Sequence, residues 1–279
     1  MKGRITILCE NSVSMKGGVG EHGFSAYVET ERGNYLFDTG SGLGLIPNLI
    51  KFQKDPLAIQ KIILSHGHQD HTGGLASILE IVGNVDVLAH PEVFAPRYNI
   101  SRKDGKETRR YAGLKFTRAY LEALGARFDL DANFREVAQE MFLTGEVPRK
   151  NAFEKGDANL FADSGGELVA DPLRDDQSLV IETEKGLVLL LGCAHAGLIN
   201  ILEHVVERTG KDRFSAVLGG THLVRCSPSQ EEETVAALKK FRIDRMGVCH
   251  CTGFAAASRL LLEYREKFFF GQVGETLEF

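Results

Sequence analysis

The 279-residue chain has no run of eighteen apolar residues, no Cys-x-x-Cys pair and no large excess of charge of either sign. Each absence removes a class of protein. Without a long apolar run, no helix is expected to span a bilayer, so no membrane partner is expected. The start, Met1-Lys2-Gly3-Arg4, passes through a strand-like Ile5-Thr6-Ile7-Leu8 to Glu10 without a small-residue cleavage site. No signal peptide is read there, and the expected address is cytoplasmic. Cys9, Cys193, Cys226, Cys249 and Cys251 are odd in number, which argues against a disulfide framework or zinc finger and for reduced thiols. A net charge of -5, from 33 basic and 38 acidic residues, argues against a protein that coats nucleic acid. With 43% hydrophobic and 25% charged residues the chain is ordinary for a folded protein, which excludes disorder. Its length leaves two comparable halves or one large α/β domain.

An internal echo favours the halves. Ser25 to Phe37 reads against Ser178 to Leu190 at an offset of 153 residues, sharing Ser, Glu-Thr-Glu and Gly. Each copy is two β-rich runs around a charged turn that ends in glycine, the pattern of a hairpin. Good turn chemistry alone can produce such a likeness, yet the offset is what a duplicated unit gives. Helical spacing follows each hairpin: Leu75, Ile78, Leu79 and Val82 in the first half, and Leu198, Ile201, Leu202 and Val205 in the second, the latter ending at Gly210. Ser229 with Glu232 forms a capping box ahead of Val235 and Leu238, and Phe254, Ser258, Leu261 and Arg265 trace a last helix. Buried strands fit Lys61 to Leu64, Val85 to Leu88, Ala216 to Leu218 and Met246 to Val248. The expected architecture is α/β, with two sheets packed together and helices outside. Half-units cover about residues 1–96 and 166–279 of one domain, separated by a basic, helical insertion over about 97–150.

Within residues 97–118 of that insertion, Arg97, Arg102, Lys103, Lys106, Arg109, Arg110, Lys115 and Arg118 stand against only Asp104 and Glu107. Two readings stand side by side. A charge run is commonly a solvated loop. It also suits a lid over an anionic substrate, because arginine grips phosphate or carboxylate with two parallel hydrogen bonds, and Arg109 and Arg110 are the candidates for that grip.

The densest chemistry is Ser65-His66-Gly67-His68-Gln69-Asp70-His71-Thr72-Gly73-Gly74, reached directly from the strand Lys61 to Leu64. At a strand end His66 and His68 project to one side, and Gly67 permits a tight turn. Asp70 and His71 open the next helix and aim back at the strand end. Neutral imidazole with carboxylate suits zinc, iron or manganese. A polar helix cap would need only Asp70 and would gain nothing from three clustered histidines.

His66-Gly67-His68-Gln69-Asp70-His71 resembles the His-x-His-x-Asp-His signature of the metallo-β-lactamase superfamily, whose fold is a four-layer αββα sandwich of two similar halves. The chain looks closer still to the branch of proteins similar to 7,8-dihydropterin-6-methyl-4-(β-D-ribofuranosyl)-aminobenzene-5'-phosphate synthase. That likeness is carried by Glu21-His22-Gly23-Phe24-Ser25, Leu36-Phe37-Asp38-Thr39-Gly40, Asp176-Gln177-Ser178-Leu179, Gly192-Cys193-Ala194-His195-Ala196-Gly197, Gly219-Gly220-Thr221-His222-Leu223 and His250-Cys251-Thr252-Gly253. These segments span nearly the whole chain.

Four motif residues shared by two metals leave each short of ligands. His195 and His250 both end strands as the first motif does, so His195 is assigned with His66 and His68, and His250 with Asp70 and His71. One or two divalent ions per chain follow, with zinc favoured and iron or manganese compatible. His222 also ends a strand and is read as a substrate contact. Many superfamily members carry a metal-bridging aspartate where this chain has Cys193. Its thiolate is able to bind metal, or it is a buried, inert thiol. Asp38 either steadies a turn or fixes a ligand histidine's tautomer. Glu10 and Asn11 are assigned to the substrate cleft, while His22, His90 and His204 are read as structural or packing residues.

The resemblance implies an enzyme in which a metal-activated water attacks a polarised oxygen-bearing centre and Asp70 orients that water. The substrate expected is small and anionic, phosphorylated or pterin-related, in hydrolase-type or pterin-related condensation chemistry. A di-iron oxidoreductase is disfavoured by His68, where such members have glutamate. A noncatalytic metal-dependent binding or sensing protein is disfavoured by the complete His and Asp set. No nucleic-acid partner is expected, and a homo-oligomer is compatible with the sequence.

Overall fold

A computed structural model describes all 279 residues. Its two central sheets are ordered by the hairpins seen in the echo. Ser25–Thr30 turns into Gly33–Phe37, and Leu179–Thr183 turns into Gly186–Leu191. Both turns close identically: the hydroxyls of Thr30 and Thr183 donate to the carbonyls of Gly33 and Gly186 and accept from the amides of Arg32 and Lys185. Pairing runs in parallel beyond each hairpin. Gly33–Phe37 is followed by Ile59–Ile63, Val85–Ala89 and Ala126–Leu130 in a seven-stranded sheet. Gly186–Leu191 is followed by Arg213–Gly220, Met246–Cys249 and Phe268–Phe270 in an eight-stranded sheet.

Strand alternation divides the core into three layers of side chains. Along Gly186–Leu191, Val188 and Leu190 pack between the sheets, whereas Leu187, Leu189 and Leu191 face the second-half helices. Along Gly33–Phe37, Tyr35 and Phe37 point inward between the sheets and Leu36 points to the first-half helices. The result is the expected αββα sandwich, with Leu75–Val82 outside one sheet and Leu198–Thr209, Pro228–Leu238 and Phe254–Tyr264 outside the other. Gly210 ends Leu198–Thr209 in the left-handed conformation, as a C-terminal glycine does.

Three local expectations are corrected. The helix expected to start at Ser229 is capped by Ser227, whose hydroxyl accepts from the amide of Gln230, and Pro228 takes its first position. In Phe254–Tyr264 the stripe Phe254, Ser258 and Leu261 is the exposed face, and Ala256, Ala257 and Leu260 are buried. Small residues sit inward here because the helix lies close on the sheet. The segment 97–150 carries five strands and only one short helix, at Arg118–Ala123. Arg97–Lys103 and Lys106–Tyr111 form a hairpin in a third, four-stranded sheet completed by Leu160–Ser164 and Glu167–Ala170. Ala126–Leu130 extends the first sheet, and Arg135–Ala138 and Met141–Leu143 extend the second. No helix is long and apolar enough to cross a membrane.

Candidate metal centre and its cleft

The C-terminal ends of both sets of parallel strands meet at one edge of the sandwich. Asp38 follows Gly33–Phe37, the histidine motif follows Ile59–Ile63, Cys193 and His195 follow Gly186–Leu191, His222 follows Arg213–Gly220, and His250 follows Met246–Cys249. The turns that present these groups are strained. Asp38, Ala194, His222 and His250 have φ of 56°, 57°, 52° and 51°, in a region non-glycine residues seldom occupy. Glycines make room for what the turns carry: a Cβ on Gly192 would meet the Ser65 hydroxyl at 2.2 Å, and one on Gly67 would meet the Val93 carbonyl at 2.2 Å.

Two groups of ligand atoms result. His66, His68 and His195 bring three within 4.8 Å of one another, and Asp70, His71 and His250 do the same. His66 Nε2 lies 3.0 Å from His68 Nδ1, and His71 Nε2 lies 3.2 Å from His250 Nε2. The Cys193 sulfur is 3.1 Å from His71 Nε2 and joins further groups with His66 and His71, with His195 and His222, and with His250 and Cys251. It therefore stands between the two triads.

Neighbouring side chains fix the imidazoles. Asp38 Oδ2 lies 2.7 Å from His71 Nδ1 and accepts from the Ser65 hydroxyl at 2.6 Å, while its Oδ1 accepts from the Ser65 amide. His250 Nδ1 faces Asn11 Oδ1 at 3.1 Å. Each ring is thereby held with Nε2 turned to the centre. The turn between His66 and His68 is held by a buried ion-pair cluster. Arg97, fully buried, bonds Asp175 through both terminal nitrogens and Asp171 through Nε, and Asp175 in turn accepts from the Gly67 amide at 2.7 Å.

The donor set fits a divalent metal on its own evidence. Both ring nitrogens of His195 are buried without a hydrogen-bond partner, a costly state that a metal bond to one of them relieves in part. Burial holds His66 and His195 well below the ordinary histidine range, His68 at about 3 and His250 at about 4, so these rings are neutral and ready to ligate. His71 is the exception. Burial pulls it down, but the Asp38 carboxylate prevails and raises it to about 9. Burial likewise pushes the Cys193 thiol well up.

The centre floors a cleft of 430 Å³, within the range of small-molecule sites. His222 lines it, with its ring centroid 4.1 Å from that of His195 and Nε2 3.8 Å from Asp157 Oδ2. The expected substrate arginines divide. Arg110 lines the cleft beside Asn99, opposite it on the neighbouring strand, whereas Arg109 is turned to solvent and pairs with Glu107. Period-two alternation separates them, so Arg109 is withdrawn as a substrate contact. Arg97 is withdrawn from the lid for its buried pairing. Glu10 is corrected as well: its carboxylate accepts from the backbone amides of His250 at 2.6 Å and of Ser12, and so holds the His250 turn. His22, read as structural, lies at the cleft with Nε2 3.3 Å from Asp70 Oδ2. His90 caps a short 3-10 turn through Nδ1, and His204 packs against the Thr144 carbonyl.

Sequence reasoning missed Cys251, Asp157 and Arg225. All three line the cleft; Asp157 and Arg225 lie outside any cluster of ligand-type residues, whereas Cys251 had a local signal in Cys249-His250-Cys251. His22 beside Glu21, read as structural, also had one.

The comparisons agree with this geometry. The family model described as "Metallo-beta-lactamase superfamily" matches residues 18–246. A 7,8-dihydropterin-6-methyl-4-(beta-D-ribofuranosyl)-aminobenzene-5'-phosphate synthase of Methanocaldococcus jannaschii is 32% identical over 269 residues, 93% of this chain and 90% of that protein. The crystal structure of Tm1679, described as a metal-dependent hydrolase of the β-lactamase superfamily, superposes with a TM-score of 0.84 at 30% identity, covering 99% of each chain. Zinc-bound PqqB from Methylobacterium extorquens, at a TM-score of 0.57 and 13% identity over 99% of this chain and 100% of its own, shares the fold. Strand-end histidines on paired sheets, the family match and the two relatives near 30% identity lead to one conclusion: the chain belongs to the metallo-β-lactamase superfamily.

Proposed function

We propose that this protein is a metal-dependent enzyme acting on a small anionic substrate of the phosphorylated, pterin-related kind, by hydrolase-type or related condensation chemistry. The observation that carries this reading is the pair of triads, the buried His66–His68–His195 and Asp70–His71–His250 with its half-buried Asp70, at the floor of a cleft whose wall holds Arg110. The relative's name joins a dihydropterin, an aminobenzene and a 5'-phosphate, and supports that substrate class. One or two divalent ions are the cofactor, with zinc favoured by the imidazole-rich donors.

A divalent ion held by these side chains supplies Lewis acidity and makes water nucleophilic near neutral pH. The chain's own groups do the rest. Asp70 Oδ2 lies 3.3 Å from His22 Nε2 and 3.5 Å from His250 Nε2, at the cleft side of the centre. Burial opposes its charge, but the His22 contact and the neighbouring imidazoles hold it well below the usual carboxylate range. It is therefore a charged acceptor that orients a water and takes its hydrogen bond. Arg110 binds the substrate's anionic group. In the metal-free site burial pulls His222 down, but Asp157 and Cys251 together prevail and raise it to about 10. Its ring lines the same cleft as Arg110 and is suited to donate to a substrate oxygen.

Elemental analysis of purified protein, followed by turnover of phosphodiesters, lactones and phosphorylated pterin precursors by stripped and reconstituted enzyme, tests the reading. Metal-dependent turnover of an anionic substrate supports it. Protein that binds no divalent metal overturns it.

A further inference from the structure

We propose that Cys193 and Cys251, with His250, form a sulfur-rich metal-binding position, which makes the second half of the centre thiophilic. The inference rests on the metal-dependent reading above and adds to it a ligand, Cys251.

The three ligand atoms lie within 4.8 Å of one another, and all three residues are buried. They arrive from different elements: Cys193 ends Gly186–Leu191, and His250 and Cys251 form the turn after Met246–Cys249. Those strands are not neighbours in the sheet. Arg213–Gly220 runs between them, and its last residue, Gly220, is the spacer that lets the sulfurs approach. A Cβ on Gly220 would sit 2.6 Å from the Cys251 sulfur and 3.4 Å from the Cys193 Cα. Cys251 Sγ accepts from the His222 amide at 3.3 Å and lies 3.4 Å from the Cys193 carbonyl, so its direction is fixed. Both cysteines are among the residues that line the cleft.

The other cysteines show that this is placement and not an excess of thiols. Cys249 belongs to the core between the sheets, and Cys9 packs under the first-half helices. Cys226 is the half-buried thiol beyond the site.

Sulfur donors select by softness: two thiolates and an imidazole hold zinc or cadmium in preference to manganese or magnesium, which favour oxygen. On binding, each S–H bond is replaced by a sulfur–metal bond and the proton passes to solvent, with no change of oxidation state.

The test uses the full chain, reduced, stripped by chelation and titrated with cadmium alone, with the ultraviolet sulfur-to-cadmium charge-transfer band and the bound metal content as readouts. Wild type gives the amplitude of two thiolates. Cys193→Ser and Cys251→Ser each leave about half of it, and Cys249→Ser leaves all of it. X-ray absorption of cadmium-loaded wild type, multiplied by the cadmium bound per chain, counts sulfur neighbours without any variant, and two per chain are expected. Full amplitude in Cys251→Ser, or fewer than two sulfur neighbours per chain by X-ray absorption, overturns the inference. Binding without a charge-transfer band overturns it while leaving the nitrogen and oxygen centre standing, whereas no binding at all overturns both.

Discussion

His71 Nδ1 lies 2.7 Å from Asp38 Oδ2, and both side chains are fully excluded from solvent. The contact joins the third histidine of the motif to a residue thirty-three positions earlier and turns Nε2 of the ring toward Cys193 and His250. Asp38→Asn retains the size of the side chain and tolerates the left-handed backbone at φ 56°. It removes the charge that orients His71. Metal affinity is expected to fall about 10- to 100-fold with the fold retained, as for other groups that support a metal-ligating histidine. Titration against a competing chelator measures this, and wild-type affinity in Asp38→Asn would contradict an orienting role.

The same pair gives metal uptake a pH dependence. At pH 7 the metal-free protein carries a proton on His71, whose value is raised to about 9, while His68 and His250, at about 3 and 4, carry none. Ligation through Nε2 therefore expels the His71 proton. The part of the apparent affinity due to that proton should climb by about tenfold per pH unit as pH rises toward 9 and level off above it, separately from any protons the thiols release. Calorimetry in buffers of different ionisation enthalpy counts the protons released. No release at pH 7 is the opposing result.

Arg97 is the largest fully buried side chain, and it pairs with both Asp171 and Asp175. Arg97→Met leaves two buried carboxylates unpaired and loosens the Gly67 turn. A loss of about 3–5 kcal/mol in urea unfolding is expected, the usual consequence of breaking a buried pair from one side. Arg109→Ala, on the solvent face of the same hairpin, is expected to stay within about 0.5 kcal/mol of wild type. Equal losses for the two variants would show that the buried cluster is not what holds the turn.

Arg110 and Arg109 also separate in catalysis. With a phosphorylated substrate, Arg110→Ala should raise KM by about tenfold or more through loss of a charge-assisted hydrogen bond, with Arg109→Ala unchanged. A neutral analogue should show little difference between the two. Parallel KM measurements decide it, and equal KM changes for charged and neutral substrates would remove Arg110 from the binding site.

Much of this protein is local and was legible as such. His66, His68, Asp70 and His71 fall within six residues, the hairpins repeat at 153, and the helices after them announce themselves by spacing, because strand alternation and helical period are properties of a short stretch of chain. The strand-end position of His195 and His250 was equally visible, and their grouping with the motif follows from it. What the sequence could not carry is which side of a strand faces which neighbour once sheets pair. Arg97 and Arg110 sit in one basic run, yet one is sealed against Asp175 and the other opens on the cleft, since the third sheet buries a single end of the hairpin. Glu10 turned out to hold the His250 backbone 240 positions away, and Cys251 to lie beside Cys193 across a spacing of fifty-eight. Those relationships exist only after two sheets have packed and brought their C-terminal edges together. The residues themselves set the kinds of ligand available, and the packing of the two halves decided which of them meet.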